Sequence, residues 1–157
     1  MAGDARSRRN FLAAGLATIT CAAIWPADAK TRIADRRHLE LHNLHTGEKI
    51  NAVYWANGRY DPGVLHQVNH VLRDFRDGEI HAIDPKLLDL LAHLRARLNT
   101  SAPYEVVSGY RSPETNAMLA AMSDGVAAGS LHMVGKAIDM RLTGRSLRQV
   151  HRVALGM

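Results

Sequence analysis

Behind an Asp84-Pro85 pair the chain carries Leu87, Leu88, Leu91, Leu94 and Leu98 at helical spacing. Aspartate is a preferred N-cap, and proline at the first helical position gives up an N–H that has no helical partner there anyway. The spacing predicts a helix over roughly Pro85 to Leu98 with one continuous apolar face. An apolar face of that length has to be covered by another layer of structure. The same opening stands at Asp61-Pro62, followed by Leu65, Val68, Leu72 and Phe75, with Gly78 as the expected close. Ser112-Pro113-Glu114 opens a third helix, expected over Glu114 to Met122, with an acid in its first turn. A fourth is expected over Ser146 to Leu155.

Between the helices the pattern shifts to period two. Leu39 and Leu41 alternate with polar neighbours, and Lys49 to Trp55 follows with Ile50, Ala52 and Tyr54 on one side. With the turn around Gly47 these predict a hairpin. Trp55 and Tyr54 fit packing on that hairpin better than a sugar platform. Tyr104 to Val107 and Lys136 to Leu142 read as further strands, and Asp124 to Ser130, holding Gly125 and Gly129, as a loop. A chain of 157 residues suits one domain with its own core. Its single cysteine excludes an intramolecular disulfide and a cysteine-based zinc cage. The formal charge of +5 allows an acidic polymer as partner without requiring nucleic acid, and an aromatic content of 5% is low for a protein that stacks bases.

Residues 1–29 read as an export signal rather than as part of the fold. Arg6, Arg8 and Arg9 form a basic region, an apolar run follows from Phe11 to Trp25, and Ala27-Asp28-Ala29 is a small-residue cleavage site. Gly15, Thr18 and Thr20 weaken the run as a membrane span. Ser7-Arg8-Arg9-Asn10-Phe11-Leu12 fits the twin-arginine pattern, with an ordinary secretory signal as the alternative. The expectation is a periplasmic protein that meets the twin-arginine export machinery during secretion. Cleavage after Ala29 removes Cys21, so residues 30–157 carry no thiol into an oxidising compartment.

The stretch with chemical content is Ser130-Leu131-His132-Met133-Val134-Gly135-Lys136-Ala137-Ile138-Asp139-Met140. By period two, Ile138, Met140 and Leu142 take the core face of a strand, leaving Ala137, Asp139 and Arg141 on the other. A carboxylate in the middle of a short strand is costly unless a cation or donor meets it. A divalent metal shared with the imidazole of His132 would do so, and small Ala137 leaves room for a ligand. Spacing alone equally allows a surface histidine and an aspartate paired with Arg141 or Arg111.

Ser108-Gly109-Tyr110-Arg111-Ser112, then a helix, then Ser-Leu-His-Met-x-Gly-x-Ala-Ile-Asp resembles the LAS-type zinc peptidases of the bacterial cell wall. The nearest likeness is to the murein endopeptidase K group, related to D-alanyl-D-alanine carboxypeptidases. Asn43-Leu44-His45-Thr46-Gly47-Glu48, Asn57-Gly58-Arg59-Tyr60-Asp61-Pro62 and Ile83-Asp84-Pro85 also look like that group, so the likeness covers nearly all of residues 30–157. It implies an α+β fold with a small antiparallel sheet and packed helices, and a zinc-dependent hydrolysis of peptide cross-links in peptidoglycan. His132 and Asp139 match the first two zinc ligands. Arg111 matches the basic residue that polarises the scissile carbonyl, and Ser108 and Tyr110 match residues lining the site.

The resemblance also implies a further strand bearing His-x-Asp, whose histidine is the third zinc ligand. No such segment follows Asp139 before Met157. The expectation is therefore a domain lacking its C-terminal strand, with an open sheet edge and a weakened or inactive site. The alternative is a catalytically inert remnant that still binds the cell wall. His151 falls on the expected fourth helix and reads as solvated. His66 and His70, four apart on a helix, and His38, His42 and His45 around the hairpin read as surface residues rather than ligands.

Overall fold

The computed structural model describes residues 36–123 and 125–157, together with the backbone of residues 17–20. Its strands are β1 (Ala17–Thr20), β2 (Arg36–Asn43), β3 (Lys49–Ala56), β4 (Arg59–Tyr60), β5 (Tyr104–Ser108) and β6 (Ala137–Leu142). Its helices are α1 (Pro62–Val71), α2 (Pro85–Arg97), α3 (Pro113–Met122) and α4 (Leu147–Leu155), with a single 3-10 turn at Leu131–Val134. The strands form one sheet in the order β1-β6-β5-β2-β3-β4. The α+β class expected from the sequence is the class observed. The sheet is mixed rather than wholly antiparallel, because β5 joins β2 in parallel, with Leu41 opposite Tyr104. The two helices that separate β3 from β5 carry the chain back to the starting end of the sheet, as a parallel connection requires.

One face of the sheet presents Leu39, Leu41, Ile50, Tyr54, Tyr104, Val106, Met140 and Leu142 to the core. The leucine face of α2 closes over it: Leu87, Leu88, Leu91 and Leu94 are fully buried. Two hydroxyls pin this layer. Tyr104 donates to the Leu91 carbonyl (2.7 Å), and Tyr54 donates to Asp89 (3.0 Å). Tyr60 and Arg37 complete the ring around Asp89, and the Arg37 guanidinium lies over Trp55, so both aromatic residues of the hairpin serve packing.

Helix α1 ends well before Gly78. The apolar spacing continues through Leu72 and Phe75, but Asp74 breaks the helix by drawing its own neighbours inward. Its carboxylate accepts from the Arg76 N–H (3.0 Å), its N–H donates to the Glu79 carbonyl (3.0 Å), and Gly78 donates back to the Asp74 carbonyl (2.8 Å). The side chain supplies locally what a helix would supply from the backbone. Phe75 leaves the helical stripe and stacks on His45, ring centroids 3.8 Å apart.

In the uncleaved chain the β6 edge expected to be open is covered. Ala17–Thr20, which lies within the segment read as an export signal, pairs antiparallel along β6 with Thr18 opposite Asp139. The exposed N–H and C=O groups of an edge strand attract such a partner, and Thr-Ile-Thr favours extended backbone. The twin-arginine residues and the cleavage site lie outside the described residues.

The α2 leucines are the keystone of the core. Leu91→Ala is expected to lower unfolding free energy by about 2–5 kcal/mol. Urea denaturation of the variant beside the parent measures it, and a loss below about 1 kcal/mol would mean that α2 does not carry the core.

Candidate active site

The site is built where the end of β5, the 3-10 turn and β6 meet. A bulge at Val107 starts it. Val106 pairs with Met140, but Ser108 pairs with Asp139 rather than with Ile138. One extra residue in β5 thus turns Ser108 away from the core side and sets it beside Asp139. Both are buried, Asp139 at 9% exposure.

Gly109 follows, and nothing larger fits. A Cβ there would stand 2.5 Å from the Leu72 carbonyl oxygen. The close approach lets Tyr110 donate its N–H to that carbonyl (2.7 Å), and it aims the Gly109 carbonyl at His132. The Nδ1 of His132 lies 2.7 Å from this oxygen. A carbonyl can only accept, so Nδ1 carries the proton and Nε2 presents its lone pair. Ser130 caps the turn that bears His132, its hydroxyl accepting from the His132 N–H (3.3 Å). Gly135 ends the turn at φ 64°, with its backbone packed on Ala82 and its carbonyl accepting from the Asp84 N–H.

His132 Nε2 lies 3.6 Å from Asp139 Oδ2, and Arg111 Nη2 lies 3.9 Å from the same oxygen. Two ligand atoms on one zinc at about 2.0–2.1 Å stand roughly 3.4 Å apart at the tetrahedral angle. The imidazole nitrogen and the carboxylate oxygen therefore have the separation and the chemistry of two ligands to one cation. Among the described residues, no group of three or more His, Cys, Asp or Glu side chains is placed to hold a metal. Arg111 is mostly buried. Its Nη1 donates to Asn116 Oδ1 (3.2 Å), and its Nε is a buried donor with no protein acceptor among the described residues. Burial pulls the guanidinium below its ordinary pKa, and the Asp139 charge opposes that pull.

The structure thus brings together His132, Asp139, Arg111 and Ser108. Tyr110 is packed differently: its hydroxyl donates to Glu79 (2.8 Å) and its ring stacks on His81, so it ties the segment to the loop after α1. His45 is stacked on Phe75, His38 is bonded to Asn51, His70 sits beside Glu48 and Arg73, and His66 and His151 are exposed.

Sequence reasoning did not find the acidic buttress under Arg111. Asp74 is fully buried and accepts from the Ser112 N–H (3.0 Å), while Asp77 accepts from the Ser112 hydroxyl, which also caps α3. The signal was present as three acids within six residues, Asp74, Asp77 and Glu79, in a stretch assigned to a helix end.

The comparisons with known proteins point the same way. The family model described as "Peptidoglycan L,D-endopeptidase MepK" matches residues 31–157. The chain belongs to the MepK family. The MepK of Escherichia coli is 40% identical over 152 residues, covering 96% of this chain and 84% of that protein, and the MepK of Shigella flexneri matches to the same extent. A "Probable peptidoglycan L,D-endopeptidase MepK" of Haemophilus influenzae is 36% identical over 115 residues, covering 73% of this chain and 62% of that protein. No solved structure matches significantly. Among the described residues of this MepK-family chain, no helix is long and apolar enough to cross a membrane.

The buttress carries a pH dependence. Burial pushes the Asp74 carboxyl up, but the N–H groups of Ser112 and Arg76, with Thr115 and the Arg76 charge, outweigh it and hold the group below the ordinary aspartate range. A depressed folded-state pKa means stability that is present above about pH 4 and lost as pH falls below it. Urea midpoints measured from pH 6 down to pH 3 should fall, and the fall should be shallower in Asp74→Asn. An equal slope in both chains would place the acid sensitivity elsewhere.

Proposed function

We propose that this chain is a zinc-dependent endopeptidase that hydrolyses peptide cross-links of peptidoglycan, and that it reaches the periplasm by twin-arginine export. The observation that carries the reading is the convergence of His132 Nε2 (3.6 Å) and Arg111 Nη2 (3.9 Å) on Asp139 Oδ2 in a buried corner. Relatives at 40% identity named as peptidoglycan L,D-endopeptidases support the substrate class. The Arg8-Arg9-Asn10-Phe11-Leu12 segment supports the export route.

His132 and Asp139 would hold the metal. When bound, zinc supplies a Lewis acid that polarises the amide carbonyl and lowers the pKa of water at the same centre. The protein's own contributions are separate from that. The Gly109 carbonyl keeps His132 in the tautomer that leaves Nε2 unprotonated. Ser108, set opposite Asp139 by the bulge, fixes the backbone that carries the carboxylate. The Arg111 guanidinium, held by Asn116 and facing Asp139, would hold the substrate oxygen as negative charge develops on it. Burial excludes water there and strengthens that interaction.

A second reading has an observation behind it. Only two ligand-bearing side chains converge among the described residues, and catalytic zinc sites ordinarily use three. A wall-binding protein without turnover would keep its affinity for the polymer and lose the chemistry. Titrating the metal-free chain with zinc separates the two. We expect one zinc per chain, with affinity reduced at least about 100-fold in His132→Ala and in Asp139→Ala. We expect Arg111→Ala to keep the zinc and to lower muropeptide cleavage by about 100- to 1,000-fold. Equal zinc affinity in the parent and His132→Ala would refute the metal site. Zinc-free binding to isolated sacculi, with no cleavage, would favour the second reading.

The export claim has its own measurement. Replacing Arg8 and Arg9 with lysine should leave the full-length precursor in the cytoplasm, as followed by immunoblot of cell fractions. Unchanged delivery to the periplasm would exclude the twin-arginine route.

A further inference from the structure

Helix α3 is inverted with respect to ordinary burial. Its buried residues are Thr115 and Asn116, while Met118 and Met122 are exposed at 47% and 77%. Burying an amide in preference to two methionines is unfavourable unless the amide is fully bonded. Asn116 is 2% exposed and is fully bonded. Its Oδ1 accepts from Arg111 Nη1 (3.2 Å), and its Nδ2 donates to the carbonyls of Ala127 (3.1 Å) and Ala128 (3.4 Å).

The two Nδ2 bonds reach the glycine-bearing loop between α3 and the turn that carries His132. Among the described residues, the other hydrogen bonds of 125–129 are local: Gly125 and Val126 both donate to Ser123. Asn116 is thus the anchor of that loop and the holder of Arg111 at once. Doing both takes an acceptor and donors on one short side chain, which the asparagine amide supplies. Aspartate keeps the acceptor toward Arg111 but sets an oxygen against the loop carbonyls, and leucine makes neither contact.

We propose that Asn116 is a positioning residue for the hydrolysis: it sets the orientation of the Arg111 guanidinium and ties it to the 125–130 loop, so that the loop and the group that receives the developing oxyanion are fixed together. The inference rests on the role proposed above for Arg111. Asn116 itself touches neither metal ligand among the contacts described.

The test uses the full chain carrying Asn116→Asp, which breaks the loop bonds alone, and Asn116→Leu, which breaks both. Each is combined with Arg111→Ala. Nitrogen-15 NMR of the metal-free protein reads the Arg111 Nε–H without any need for turnover. We expect that signal to be retained in Asn116→Asp and to collapse into the exchange-averaged arginine envelope in Asn116→Leu. We expect zinc affinity within about twofold of the parent in both. Muropeptide cleavage should lose kcat by about 10- to 100-fold in Asn116→Leu, with KM little changed, and should lose nothing further in the Arg111→Ala background. A full additive loss in that background would overturn the proposal, as would an unchanged Arg111 signal in Asn116→Leu. If Arg111→Ala alone leaves cleavage unchanged, the catalytic role of Arg111 fails, and the NMR arm still decides whether Asn116 positions it. A melting temperature for each variant identifies simple unfolding; if Asn116→Leu unfolds, Asn116→Asp, isosteric with the parent, should lower kcat through the lost loop bonds while keeping the Arg111 signal, and an unchanged kcat would overturn the coupling to the loop.

Discussion

The hydrogen bond from His132 Nδ1 to the Gly109 carbonyl is the contact on which the site depends. It decides which imidazole nitrogen carries the proton, and so whether Nε2 can face Asp139 as a ligand. That bond is available only because Gly109 lies against the Leu72 backbone with no space for a Cβ. The end of α1, the end of β5 and the 3-10 turn are therefore locked together through one residue without a side chain. A shift in any of them would move the imidazole.

Around this contact the protein spends buried polar groups where a larger domain would place hydrocarbon. Asp74, Ser112, Thr115 and Asn116 are all below 6% exposure, and each has its partners. Together they brace the five residues from Ser108 to Ser112 from beneath. The apolar core lies elsewhere, between α2 and the opposite stretch of sheet. This division separates two requirements. Leucines against tyrosines and valines give stability with little directional demand, while the polar cluster gives direction to Arg111 and His132.

The leading edge of the chain adds a contact on the site's far side. Strand β1 lies along β6 with Thr18 opposite Asp139, so the strand carrying the carboxylate has β5 on one edge and β1 on the other. Cleavage after Ala29, which the proposed export route implies, would remove this pairing, so the hold on Asp139 that remains in residues 30–157 is its pairing with Ser108 of β5.

Most elements were legible in the sequence because each is a local matter; β1, inside the segment read as a signal, and the short β4 were not. Asp-Pro and Ser-Pro openings, the leucine stripe of α2 and the period-two runs of β2, β3 and β6 are set by neighbours along the chain. His132, Asp139, Arg111 and Ser108 were legible as candidates because they stand in short segments that resemble those of a family. What stayed hidden is non-local. The bulge at Val107 exists only in the pairing of β5 with β6. The helix break at Asp74 depends on a carboxylate that also reaches Ser112, 38 positions away. The parallel joining of β5 to β2 depends on how two helices pack. The sequence by itself determined most of the segments that become helix or strand and which residues can carry the chemistry, because those follow from backbone propensity and side-chain type. The tertiary structure alone decided which nitrogen of His132 faces Asp139 and what holds Arg111 in place, because hydrogen-bond direction exists only once distant segments are brought together.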